Sequence, residues 1–203
     1  MKLIPCSLDD VLIIDEFLPN PLVVREHARL SEFYNWLGPD GQLYQRVSLC
    51  KVPGVERKLF EVFGEYEMLG QAYRLNYEGE QPNQSIHSDL GWGTHALVLY
   101  LCEGPGGTAF WKHKESGADR ILPGDAELLE QIKDDWEDSD KWELRHTVPL
   151  KFNRAVIYSS ELFHSRYPFE AFGTHPGNGR LIAVAFFTPT SEVASSDTSS
   201  EVI

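Results

Sequence analysis

The sequence predicts a mainly β chain, a β-sandwich or barrel buttressed by helices. Three observations predict it. Short runs rich in β-branched, aromatic and leucine residues recur from about residue 71 onward. Gly, Pro, Asn or Asp punctuate most of the gaps between them. Helical spacing is concentrated near the N-terminus, and no internal repeat of fixed period is present. The 203 residues suit one domain with a full core, taken as residues 1–189.

In chain order, "VLIIDEFL" (11–18) reads as a strand. "NPLVVREHARLSEFYNWL" (20–37) reads as a helix, with Asn20 as N-cap, Pro21 at the first helical position, and Val23, His27, Leu30 and Tyr34 at helical spacing. Gly38, Pro39, Asp40 and Gly41 end it in a turn. "VERKLFEVFGEY" (55–66) is a second short helix. Strands follow at 71–80, 94–103, 107–114, 143–152, 154–160 and 180–189, with "GPGG" (104–107) as a tight turn between two of them. Residues 126–143 read as a polar, helix-like, solvated insertion rich in acid. The Ser/Thr-rich end, 190–203, has almost no core formers and is expected to be a disordered tail.

Composition narrows the function. Acidic residues number 31 against 18 basic, for a net charge of −13. Nucleic-acid binding depends on a positive surface that displaces counterions, so neither nucleic acid nor an anionic membrane is an expected partner. Cys6, Cys50 and Cys102 form no C-x-x-C pair, which argues against a disulfide framework and a thiolate zinc site. A reducing, cytoplasmic setting is expected, and no run approaches a membrane span.

The stretch "SIHSDLGWG" (85–93) carries the chemistry. Two residues apart on an extended strand means one shared face, so His87 and Asp89 offer an imidazole and a carboxylate side by side. A third ligand must come from a distant segment. The other histidines are His27, His95, His113, His146, His164 and His175. His164 is best placed, just after the strand "NRAVIYSS". His113 and His146, among charged residues, read as solvated; His95 reads as a core or rim residue, His27 as part of a helix face, and His175 as a loop residue near the presumed mouth. His87, Asp89 and His164 together make a two-histidine, one-carboxylate face. Such a face leaves half an octahedron open, which suits non-haem Fe(II) and suits closed four-ligand zinc badly. Gly91 and Gly93 permit close backbone approach near the metal. Trp92 and Trp111 flank the site, more as packing than as substrate contacts.

In order, "YEGEQPNQSIHSDL", "GGTAFW", "NRAVIYSSELFHS" and "GRLIAVAFF" resemble the motifs of Fe(II)- and 2-oxoglutarate-dependent dioxygenases, most nearly the prolyl-hydroxylase-like branch. The resemblance covers about residues 65 to 189. It implies a double-stranded β-helix (jelly roll) with N-terminal helices packed on one sheet. It implies that His87, Asp89 and His164 hold Fe(II), and that 2-oxoglutarate and O2 are consumed while a C–H bond is hydroxylated and succinate and CO2 are released. Asp89 favours hydroxylation over halogenation, which in that family needs a small residue in its place. The cosubstrate's C5 carboxylate needs a guanidinium fork in a buried pocket. Arg180, opening "RLIAVAFF", matches the family position, and Arg166 is the rival. Tyr77 matches a tyrosine before the H-x-D; Tyr100, Tyr73 and Asn76 are alternatives for the same contact. A small molecule or peptide is the implied substrate. The alternative readings are a cupin-like metalloprotein that does not use 2-oxoglutarate, and a non-catalytic module of the same fold.

Overall fold

The computed structural model describes residues 1–39, 41–80 and 86–190. The expected tail beyond Thr190, and Asp40 of the expected turn, lie outside them. The elements run β1 (Lys2–Ile4), β2 (Val11–Asp15), α1 (Pro21–Leu30), β3 (Tyr34–Leu37), β4 (Leu43–Leu49), α2 (Val55–Phe63), β5 (Tyr66–Asn76), β6 (His95–Tyr100), β7 (Gly107–His113), α3 (Ala126–Ile132), β8 (Trp142–Pro149), β9 (Ala155–Ser159), β10 (His164–Tyr167) and β11 (Arg180–Pro189). An eight-stranded sheet, ordered β1-β2-β9-β6-β11-β5-β4-β3, faces a three-stranded sheet, β10-β7-β8. The strand pairings are antiparallel. The chain is therefore mainly β and folded as a sandwich, as its strand pattern predicts.

Alternation along β11 shows what each face does. Leu181, Ala183, Ala185 and Phe187 join Val24 and Ala28 of α1 and Val55 and Leu59 of α2 in one apolar cluster. Ile182 joins Val98, Tyr100, Phe110 and Val148 in a second cluster between the sheets. The helices thus cover one face of the large sheet, and the other face is left for a site. In the "GPGG" turn the backbone leaves no room for a side chain: a Cβ on Gly107 would come 1.9 Å from the Val148 carbonyl oxygen.

The structure corrects the sequence at several points. α1 stops at Leu30, where the Ser31 hydroxyl donates to the His27 carbonyl at 2.8 Å, and Asn20 makes no side-chain cap bond. Residues 34–37 are strand β3, paired with β4 through Tyr34↔Val47 and Trp36↔Tyr44. The helical spacing continued through Tyr34, but cross-strand pairing outweighs weak local propensity. β4 itself was not expected. Arg46 sits in it at φ 47, which breaks the alternation a strand reading relies on.

His113 is fully buried, not solvated. Its Nε2 lies 2.9 Å from Asp135 and its Nδ1 2.9 Å from Ser116 Oγ. The acidic insertion is correspondingly not just a solvated surface. Ile132 and Trp142 are buried, and Trp136 packs on Trp142 and Phe163, covering the outer face of the small sheet. His146 is half-buried, 3.4 Å from Ser7 Oγ. His27 Nδ1 lies 2.9 Å from the Tyr73 hydroxyl, and His95 stacks on Phe187.

An ion cluster sits at the end of β2, around the buried Asp15. Asp15 takes Arg154 Nε at 2.6 Å, Arg154 Nη2 at 3.2 Å and Lys151 Nζ at 2.6 Å. Bonds from Arg154 first, against the cost of burial, and then from Lys151 hold the Asp15 carboxyl at about 2. A depressed carboxyl stabilises the fold above its ordinary value near 4 and loses that contribution as pH falls towards 2. Asp15→Asn is therefore expected to cost about 2 kcal/mol at pH 7, less what solvent takes from the exposed Lys151, with the difference shrinking below pH ~4. Denaturant unfolding of both proteins between pH 2 and 7 checks this; an unchanged gap at pH 2 would contradict it.

Candidate metal centre

The segment after residue 85 is held by backbone bonds to a distant strand. His87 N–H donates to the His164 carbonyl at 3.0 Å, and His164 N–H donates back to the His87 carbonyl at 2.8 Å. Asp89 N–H donates to Ser160 O at 2.8 Å, and Ile86 N–H to Trp136 O at 3.2 Å. The Ser160 hydroxyl donates to the Gly93 carbonyl. His87 and His164 form an isolated antiparallel bridge, so the H-x-D does not lie on a continuous strand. Gly91 and Gly93, at φ 99 and 98, turn the chain away. A Cβ on Gly93 would meet Leu69 at 2.6 Å and the Phe187 carbonyl at 3.0 Å, so glycine is required for that close approach.

This pairing brings the three expected ligands together. One ligand atom from each of His87, Asp89 and His164 lies within 4.8 Å of the others. His164 Nε2 is 3.3 Å from Asp89 Oδ2, and the two imidazole centroids are 4.5 Å apart. His164 Nδ1 lies 3.0 Å from the Leu162 carbonyl, an acceptor that takes the ring proton there and turns the Nε2 lone pair inward. The Tyr158 hydroxyl donates to Asp89 Oδ2 at 3.2 Å.

Burial works against charge on Asp89, but His164, His87 and Tyr158 outweigh it and hold its carboxyl below the usual range. Burial likewise disfavours charge on His164, and Asp89 with the Leu162 carbonyl reverses that and raises it. Burial first, and then the Asp89 charge, push the Tyr158 phenol well up, so it stays a donor. Two imidazoles and a carboxylate converging on one point, with no fourth protein ligand among the described residues, fit an ion that keeps open positions.

A cavity opens beside these groups. It is lined by Arg74, Asn76, Thr108, Tyr158, Arg166 and Arg180, and on its outer side by Trp36, Tyr44, Val47, Leu49, Trp92 and Phe186. Arg180 is 6% exposed and donates from Nη1 to Asn76 at 3.3 Å, while its Nε is buried without a partner. β10 continues past His164, so Arg166 shares the ligand's face and reaches the cavity too, its guanidinium donating to the Phe169 carbonyl. Burial first, then Arg180 and Arg74, bring Arg166 down to about 10.

Strand alternation sorts the tyrosines. Asn76 and Arg74 face the cavity, so Tyr77 and Tyr73 point to the helix side. Tyr77 packs under the Arg46 guanidinium at 4.5 Å and is not among the residues that line the cavity. Tyr100 is buried between the sheets, its hydroxyl 2.7 Å from Thr108 Oγ1, so that Thr108 presents the cavity surface in its place. Trp92 lines the cavity; Trp111 is buried outside it and donates to Ser165 Oγ at 2.9 Å. His175 is exposed. The sequence reading missed Arg74, Tyr158 and Trp36, because the register that aims them inward is set by partner strands.

Residues 87–187 match a family described as a family of unknown function (DUF6445). No curated protein matches the chain. Among solved structures it is similar to the non-heme alpha ketoglutarate dependent carbocyclase SnoK from nogalamycin biosynthesis, at 14% identity and a TM-score of 0.52, over 88% of this chain and 79% of that one. It is similar to the epimerase SnoN in complex with Fe3+, alpha ketoglutarate and nogalamycin RO, at 14% identity and a TM-score of 0.50, over 88% and 78%. It is also similar to AviO1 from Streptomyces viridochromogenes Tue57, at 14% and 0.51, over 88% and 89%. These likenesses are of fold. No described helix is long and apolar enough to cross a membrane.

Proposed function

We propose that the chain is a cytoplasmic Fe(II)- and 2-oxoglutarate-dependent oxygenase with a double-stranded β-helix core, of the prolyl-hydroxylase-like branch, acting on a small molecule or peptide. The observation that carries this is one cavity holding both the His87–Asp89–His164 donor set and the buried, incompletely bonded Arg180. That SnoN was solved with iron and alpha ketoglutarate on a similar fold supports it.

His87, Asp89 and His164 are the residues to hold the metal. Iron so bound, with 2-oxoglutarate and O2, supplies oxidation of an unactivated C–H bond with release of succinate and CO2. The protein's part is position and exclusion of water. Tyr158 and the Leu162 carbonyl fix the orientation of Asp89 and His164 before any ion arrives. Arg180 offers a guanidinium to the cosubstrate's C5 carboxylate, and Thr108, backed by the Tyr100 hydroxyl, offers a hydroxyl nearby. Val98, Ile182 and Val184 wall the floor with apolar surface.

The test is anaerobic titration with Fe(II) and then 2-oxoglutarate. A weak visible charge-transfer band that needs both additions is expected, followed in air by slow succinate release that a chelator stops. Protein that binds Fe(II) and shows no response to 2-oxoglutarate would leave the reading without support.

A further inference from the structure

The cavity holds more positive charge than the proposed cofactors use. Arg74, Arg166 and Arg180 all line it, and none of the three makes an ion pair among the described residues. Two carboxylates also line it. Glu80 is engaged elsewhere: it pairs with Arg46 and accepts from Asn76 Nδ2 at 3.1 Å and Tyr77 N–H at 2.5 Å. Asp89 is committed to the metal in the proposed function. An Fe(II) ion, Asp89 and a doubly charged 2-oxoglutarate leave one negative charge, which Arg180 cancels. Arg74 and Arg166 then stand half-buried, with no ion-pair partner among the described residues, and a desolvated guanidinium is unfavourable unless an anion completes it.

The two are not equivalent. Arg166 is tied to the Phe169 carbonyl. Arg74 has a buried Nε with no partner, and its guanidinium lies 5.1 Å from the centre of the Tyr44 ring. It is paired in register with Ile182 of β11 and Val47 of β4, two cross-strand pairs along from Arg180↔Asn76 and so on the same face. That places it between the proposed cosubstrate end and the apolar side of the cavity. On that side Trp92 packs against Trp36 at 6.0 Å and Phe186 at 5.2 Å.

Resting on the proposed function, we propose that the substrate carries an anionic group, a carboxylate or phosphate, which Arg74 binds, and an apolar body that lies against Trp36, Trp92 and Phe186. A guanidinium fork matches either anion with two hydrogen bonds, and aromatic walls favour a flat or branched apolar body. The acidic surface of the chain as a whole makes this basic interior a selective feature and not a by-product of composition.

The test is calorimetric binding to protein loaded with Mn(II) and 2-oxoglutarate under argon, and in parallel to the metal-free protein. The probes are 3-phenylpropanoate, phenyl phosphate, neutral 3-phenylpropanamide and inorganic phosphate. At least one acid is expected to bind roughly tenfold or more tightly than the amide, and whichever acid wins identifies the anion. Arg74→Gln should erase that preference while keeping 2-oxoglutarate affinity within about threefold, and Arg74→Lys should restore part of it. Equal binding of acids and amide by the wild-type protein overturns the proposal. So does an Arg74→Gln protein that keeps the preference, or one that loses 2-oxoglutarate instead. Failure to load Mn(II) and 2-oxoglutarate, with the acid preference intact in the metal-free protein, overturns the oxygenase reading and keeps the anion site.

Discussion

Asp89→Ala is expected to abolish turnover and to weaken Fe(II) binding by more than ~10²-fold. The bound comes from comparison: removing a partner that only orients a ligand typically costs 10–100-fold, and Asp89 is the charged ligand itself. Tyr158→Phe, which removes the donor 3.2 Å from Asp89 Oδ2, is expected to fall within that smaller range. Metal affinity should also depend on pH in a defined direction. Asp89 raises the pKa of His164, and the metal needs His164 neutral, so affinity rises with pH until His164 has lost its proton. The metal-free fold responds oppositely on that side. The raised His164 pKa stabilises it fully below the ordinary value near 6.5, and that contribution is lost as pH rises through the folded value. The lowered Asp89 pKa stabilises it above about 4, a contribution lost as pH falls. Fe(II) titrations and metal-free unfolding at pH 5, 6.5 and 8 check both signs. Metal affinity that falls as pH rises would remove His164 from the ligand set.

Arg180→Ala should raise the KM for 2-oxoglutarate by ~10²–10⁴-fold, with Fe(II) binding in the absence of cosubstrate unchanged. The magnitude follows from leaving a buried carboxylate without its partner, about 3–5 kcal/mol. Arg180 is 6% exposed, so water cannot easily replace the guanidinium. Arg166→Ala is the control. Its donors serve the Phe169 carbonyl, and a smaller loss, shared between stability and KM, is expected. A metalloenzyme of this fold that does not use 2-oxoglutarate would keep its activity in Arg180→Ala, and a larger KM effect at Arg166 would exchange the two roles. Steady-state kinetics on the three proteins, with succinate as readout, separates these outcomes.

Much of the candidate site could be read along the chain because its expected ligands carry a chemical signature. An imidazole and a carboxylate two residues apart, next to glycines, and a histidine just after a strand are local features. Arg180 stood out differently, by its place at the head of "RLIAVAFF" in the motif order that resembles the dioxygenase family. Arg74 and Tyr158 carried no such mark. An arginine in "QAYRLNY" and a tyrosine in "RAVIYSS" look like ordinary strand residues until pairing shows which face they occupy. The face that Tyr77 takes was equally hidden, since a shift of one residue sends a strand side chain to the opposite face. It also put His113 in solvent, because the charged residues near it in sequence were visible and Asp135, 22 positions away, was not.

Apolar periodicity and turn residues determined by themselves that this protein is built of many short strands with helices near its start, because burial and backbone bonding impose those periods on any chain. The candidate ligands His87, Asp89 and His164 could also be picked out along the chain. What only the tertiary structure decided was convergence: that His87 and His164 exchange backbone hydrogen bonds, and that three arginines from β5, β10 and β11 face one cavity. The reason is that strand order and register arise from contacts between residues far apart in the chain, which no local pattern encodes.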